Sequence, residues 1–85
     1  MSAAKTLALA RRNPTGVRFL DLITLIQALG FVERRGDGSH RFFKHPTAGV
    51  LNVQPRKDGK AKPYQVRQLL AAVDAHGLTL GEDEA

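Results

Sequence analysis

The sequence contains neither cysteine nor tryptophan. Without cysteine there is no disulfide framework and no thiolate metal site, so a chain of 85 residues must be held together by a small apolar core alone. The absence also fits a reducing compartment, and a cytoplasmic location is expected. Long apolar runs are missing too. The richest stretch, Phe19 to Leu29, is interrupted by Asp21, Thr24 and Gln27 and is too short to span a bilayer. The N-terminus has no long apolar run and no cleavage site of secretory type, so it reads as mature protein with no membrane role. The common catalytic signatures are also lacking: no His-Glu-x-x-His, no phosphate-binding loop, no Ser-His-Asp set, no paired carboxylates. Three histidines are too few, and too poorly spaced, for a metal site, and no metal or other cofactor is expected.

Acids are the other scarcity. Lys and Arg total 13 against 8 Asp and Glu, a net charge of +5, and three of the acids lie in the last five residues. A body this basic suits a polyanion or an acidic protein partner. Apolar content of 42% is that of a globular domain rather than a disordered tail.

Punctuation divides the chain into an N-terminal arm (1–16), a main domain (17–78) and an acidic tail (79–85). The Ala- and Leu-rich stretch Ala3 to Arg12 predicts a short leading helix, with Leu7 and Leu9 making no long stripe. Asn13-Pro14-Thr15-Gly16 ends it. In Phe19 to Leu29 the apolar residues Phe19, Leu22, Ile23, Ile26 and Leu29 recur at helical spacing, and Gly30 stands where a left-handed cap is wanted. No capping residue precedes Phe19. Three short strands are predicted at Phe31 to Arg34, His40 to Lys44 and Val50 to Gln54. Gly36-Asp37-Gly38 turns between the first two, and Pro46 to Gly49 between the last two, which makes an antiparallel meander. A polar cationic loop, Pro55 to Lys62, leads to a last helix from Pro63 to His76 with Val66, Leu69, Leu70 and Val73 as its apolar face, ended by Gly77. The two long helices are expected on one sheet face, giving a two-layer α+β domain whose other face is left for solvent or a partner.

The stretch Arg34 to Lys62 concentrates the basic residues: Arg34, Arg35, Arg41, Lys44, Arg56, Lys57, Lys60 and Lys62, against Asp37 and Asp58. Such clustering suits the closely spaced phosphates of a nucleic-acid strand, although single lysines in solvated loops carry no such meaning. His40 directly follows the small residues Gly38 and Ser39, where a phosphate can approach the backbone. An imidazole there can take a proton from a ribose 2′-hydroxyl or give one to a departing 5′-oxygen. An exposed histidine is more often a bystander. Strand alternation puts His40, Phe42 and Lys44 on one face and Arg41, Phe43 and His45 on the other, so the two imidazoles point apart. One of Phe42 and Phe43 belongs to the core. The other either faces the open side, where a base can stack, or is covered by edges and helices. His76, at a helix C-terminus, reads as structural.

The run from Ala28 to Pro46 resembles the HicA (YcfA-like) toxin family. Leu29-Gly30-Phe31 ends a helix, a short strand follows, then Gly38-Ser39-His40, the aromatic pair Phe42-Phe43 and His45-Pro46, in that order. The likeness extends over about Phe19 to Leu78. It implies a double-stranded-RNA-binding-domain-like α-β-β-β-α fold, ribonuclease action on messenger RNA and neutralisation by a HicB antitoxin. The family's catalytic histidine falls on His40, with Gly38 and Ser39 beside it and the cations as RNA contacts. Three features depart from the pattern: the arm Met1 to Asn13 is extra, Asp37 sets an acid beside the motif, and Asn52-Val53-Gln54-Pro55 replaces a Val-Pro-His pattern, so a second histidine is missing. The expected function is a metal-free endoribonuclease toxin of a type II toxin–antitoxin system. The alternatives are a non-catalytic RNA-binding module and an antitoxin-docking protein on the same fold.

Overall fold

The computed structural model describes residues 1–35 and 40–81. Helix α1 (Ala3–Arg12) is followed by a 3-10 turn (Pro14–Gly16), α2 (Phe19–Ala28), strands β1 (Val32–Arg34), β2 (Arg41–His45) and β3 (Gly49–Val53), and α3 (Pro63–His76). The strands form one antiparallel sheet in the order β1-β2-β3. The expected α+β architecture, α-β-β-β-α behind a leading helix, is the one observed. β1 starts one residue later than expected, β2 is moved one residue forward and β3 one residue back. Phe31 is lost to β1 because its N–H caps α2, donating to Ile26 O at 3.3 Å while Gly30 N donates to Gln27 O at 3.0 Å. Gly30 takes φ +98 to allow this left-handed cap, and Ile26 and Phe31 are both buried in the same apolar cluster. The start of α2 has no side-chain cap; Phe19 N donates to Gly59 O of the cationic loop instead.

The leading helix docks more firmly than its leucines suggest. Ser2 caps it by accepting from Lys5 N, and its buried residues are Ala3, Thr6 and Ala10. Leu7 and Leu9 are only half-buried. Small residues at helical spacing let α1 lie close to the other helices, so the seam is made of residues that an apolar-stripe reading passes over. Arg11 ties the far end to α3, its Nη2 donating to Asp74 Oδ1 at 2.9 Å. Ala3 and Ala10 belong to the same apolar cluster as the rest of the domain, so the arm is part of one core.

The register decides the two faces of the sheet. Phe43 lies opposite Glu33 on β1 and Leu51 on β3, and Arg41 opposite Val53. Phe43, Leu51 and Val53 are buried and join Leu22, Ile26, Val66 and Leu69 in one cluster, so α2 and α3 bury their stripes against this face. The opposite face carries two cross-strand rows, Val32–Lys44–Val50 and Arg34–Phe42–Asn52. No helix among the described residues covers it: Val32 and Val50 are 57% and 62% exposed, and Arg34, Lys44 and Asn52 are exposed.

Candidate active site

His40 is exposed at the start of β2, on the uncovered face. Its Nδ1 lies 3.3 Å from Oδ1 of Asn52, across on β3. An amide oxygen only accepts, so in this contact Nδ1 carries the proton and donates. The lone pair of the neutral ring then lies on Nε2, the nitrogen not engaged by Asn52, on an exposed side chain. Asn52 is the residue that sequence reasoning missed. The alternation of Val50 and Asn52 against Leu51 and Val53 marked it as outward-facing, but only the register set by the Pro46–Gly49 turn puts it beside His40.

His45 holds the opposite tautomer. Its Nδ1 accepts from Thr47 N and Ala48 N, each at 3.1 Å, and contacts Thr47 Oγ1 at 3.2 Å. Two N–H donors on one ring nitrogen require that nitrogen to be unprotonated, which places the proton of the neutral ring on Nε2. The ring packs at 5.0 Å and 56° against Phe31, close over Gly30, where an added Cβ would meet His45 Nε2 at 3.3 Å. The Leu-Gly-Phe and His-Pro pieces of the sequence thus form one structural corner. The two imidazoles do face opposite ways, His40 to the open face and His45 into that corner.

The candidate cations do not converge on one place. Arg34 and Lys44 share the face of His40, Arg34 in the row beside Phe42 and Lys44 in the next. Arg41 does not. It belongs to the covered face, where Nε and Nη2 grip both oxygens of Glu33 at 2.8 and 2.7 Å and the guanidinium sits 5.7 Å from the centre of the Phe43 ring. The hydrogen bonds from Arg41 hold the Glu33 carboxyl below the usual carboxylate range, partial desolvation opposing them, and the same contact raises Arg41. This clamp joins β1 to β2 at the base of residues 36–39, so Arg41 braces the site rather than reaching into it. Arg35 is exposed just past β1. Arg56 is paired with Asp58 at 2.9 Å. Its loop is stitched to the lead-in of α2, Ala61 N donating to Val17 O at 2.8 Å and Lys60 bridging to Arg18, and its lysines Lys57, Lys60 and Lys62 belong to no strand of the sheet. A cleft of about 450 Å³ lined by Arg18, Leu20, Asp21, Asp58 and Gly59 opens there and includes no open-face residue. Gly38 and Ser39, the other expected site residues, lie outside the described residues, as do the expected turn around Asp37 and residues 82–85 of the acidic tail.

Residues 20–75, more than half of the chain, match the family model described as HicA toxin of bacterial toxin–antitoxin systems. The chain belongs to the HicA toxin family. A HicA protein is the toxin of a toxin–antitoxin system, and membership implies an antitoxin partner. The matched span holds the whole sheet and all but one terminal residue each of α2 and α3, and leaves α1 outside it. No curated protein and no solved structure is detectably similar to this HicA chain. Among the described residues no three His, Asp or Glu side chains gather as metal ligands, and no helix is long and apolar enough to cross a membrane.

Proposed function

We propose that this HicA toxin is an endoribonuclease that cleaves messenger RNA in the cytoplasm, with His40 moving the proton. The observation that carries the reading is the contact of His40 Nδ1 with Asn52, which leaves the lone pair on Nε2 of an exposed ring, on a sheet face whose charged side chains are all cationic among the described residues. Nε2 takes the proton of a 2′-hydroxyl. The 2′-oxygen attacks the adjacent phosphorus, the P–O5′ bond breaks, and the 5′-oxygen takes a proton from solvent, which the open face admits. The products are a 2′,3′-cyclic phosphate and a 5′-hydroxyl. Arg34, in the row next to His40, would offset charge building on the reacting phosphate, and Lys44, one row further along the strand, would hold a neighbouring one. Lys57, Lys60 and Lys62 extend phosphate contact beyond the cleavage point. The backbone of Gly38 and Ser39 completes the site in this reading.

The test is cleavage of an RNA transcript by the purified chain and by His40→Ala. The variant should be slower by about 10²–10⁴-fold, with RNA affinity nearly kept. DNA should survive, since it lacks the 2′-hydroxyl, and a chelator should leave the rate unchanged. Equal cleavage by His40→Ala would remove the reading. Tight RNA binding without cleavage by either chain would favour a non-catalytic module.

A further inference from the structure

We infer that the uncovered face of the sheet is a binding platform for single-stranded RNA, with Phe42 as the surface on which one base stacks next to the cleavage point. The inference rests on the reading of this face as the RNA side. It adds that the substrate must be unpaired there, and it names the residue that selects for it.

The argument starts from what the face is made of. Phe42 lies on the middle strand, half-buried, with Arg34 on one side and Asn52 on the other. The next row is Val32, Lys44 and Val50, whose two valines are more than half exposed. The two valines flank Lys44 and adjoin the Phe42 row, so apolar, aromatic and cationic groups alternate across one open face. The charge on the patch selects the partner. Among the described residues of the sheet, every charged side chain on this face is cationic, because the one acid, Glu33, points to the other face and is held by Arg41. Apolar and aromatic groups interleaved with cations match a strand that offers flat bases and phosphates together.

Geometry then chooses single strand over duplex. Three strands at about 4.8 Å spacing make a platform roughly 10 Å across. Bases in an A-form helix are stacked on one another and show only their edges, so none can lie flat on Phe42. An unpaired base can. His40 lies two residues from Phe42 along β2, about 7 Å away and on the same side. A base on Phe42 therefore places its own or its neighbour's ribose within reach of His40.

The test uses an RNA oligonucleotide with every 2′-hydroxyl methylated, so that the 2′-hydroxyl route is closed, either alone or annealed to its complement. Affinity is read by fluorescence anisotropy across a salt series for the full chain, Phe42→Ala, Phe42→Tyr and Lys44→Gln. Single strand should bind more tightly than duplex. Phe42→Ala should weaken it about 5- to 150-fold at an unchanged salt slope, because stacking releases no counterions. Phe42→Tyr should restore binding, and Lys44→Gln should instead lower the slope by roughly 0.7. A thermal melt separates loss of the platform from loss of the fold: if Phe42→Ala is unfolded, the Phe42→Tyr comparison and the strand preference still decide. Equal affinity for duplex, or a folded Phe42→Ala that binds like the parent, would overturn the platform while leaving cleavage by His40 standing. No binding of either form would remove the RNA reading itself. A folded Phe42→Ala that keeps RNA affinity but loses an acidic protein partner would assign the face to that protein instead.

Discussion

Replacing His45 by Ala should cost stability and leave the chemistry intact, the reverse of what His40→Ala should do. The loss can be worked from its contacts. The tilted ring pair with Phe31 is worth about 0.5–1.5 kcal/mol. Of the turn's donors to Nδ1, Ala48 N is partly buried and will not be fully served by water, which adds about 0.5–1.5 kcal/mol. Together the change should cost about 1–3 kcal/mol, against a total stability of roughly 4–13 kcal/mol for a domain of this length. In urea the midpoint should fall by on the order of 1 M. His45→Asn should recover part of the loss, because an amide oxygen can accept from the backbone two residues on, as Nδ1 does now. Below the new midpoint, the folded His45→Ala protein should cleave RNA at the parent's rate, since the ring lies on the far side of the sheet from His40. An unchanged midpoint would refute the corner built from Gly30, Phe31 and His45. A stably folded variant that no longer cleaves would refute the division of labour between the two histidines.

Other outcomes follow from single contacts. Asn52→Ala should slow cleavage, by less than the ~10²–10⁴-fold expected for His40, and Asn52→Asp, which still accepts from Nδ1, should retain more; single-turnover rates with an NMR reading of the His40 tautomer check both. Thr6 Oγ1 is buried in α1 without a partner, so Thr6→Val should be neutral or stabilising by up to about 1–2 kcal/mol in chemical denaturation. Glu33 and Asp74 are held below their usual values by hydrogen bonds from Arg41 and Arg11, so each pair contributes stability above the ordinary carboxylate range and loses it as pH falls through the lowered folded value. Acid titration of the parent against Glu33→Gln and Asp74→Asn should show this: the parent loses more stability than either variant, and identical acid profiles would count against the clamps.

Much of this protein is legible in its sequence because the signals are local. The stripe Phe19, Leu22, Ile23, Ile26, Leu29 has only one compact solution, a helix ended by Gly30, and the glycine and proline clusters leave room for three short strands. Alternation alone put His40 and His45 on opposite faces. Tertiary structure decided everything that depends on what lies across a strand or against a helix. Strand register brought Asn52 to His40 and Arg41 to Glu33, and a chain read in one dimension carries no record of either pairing. Phe42 and Phe43 are chemically identical and adjacent, and only the side taken by the helices made one core and the other platform. The docking of α1 through Ala3, Thr6 and Ala10 was hidden for a related reason: close helix packing rewards small side chains, whose hydrophobic signal is weakest where the contact is tightest.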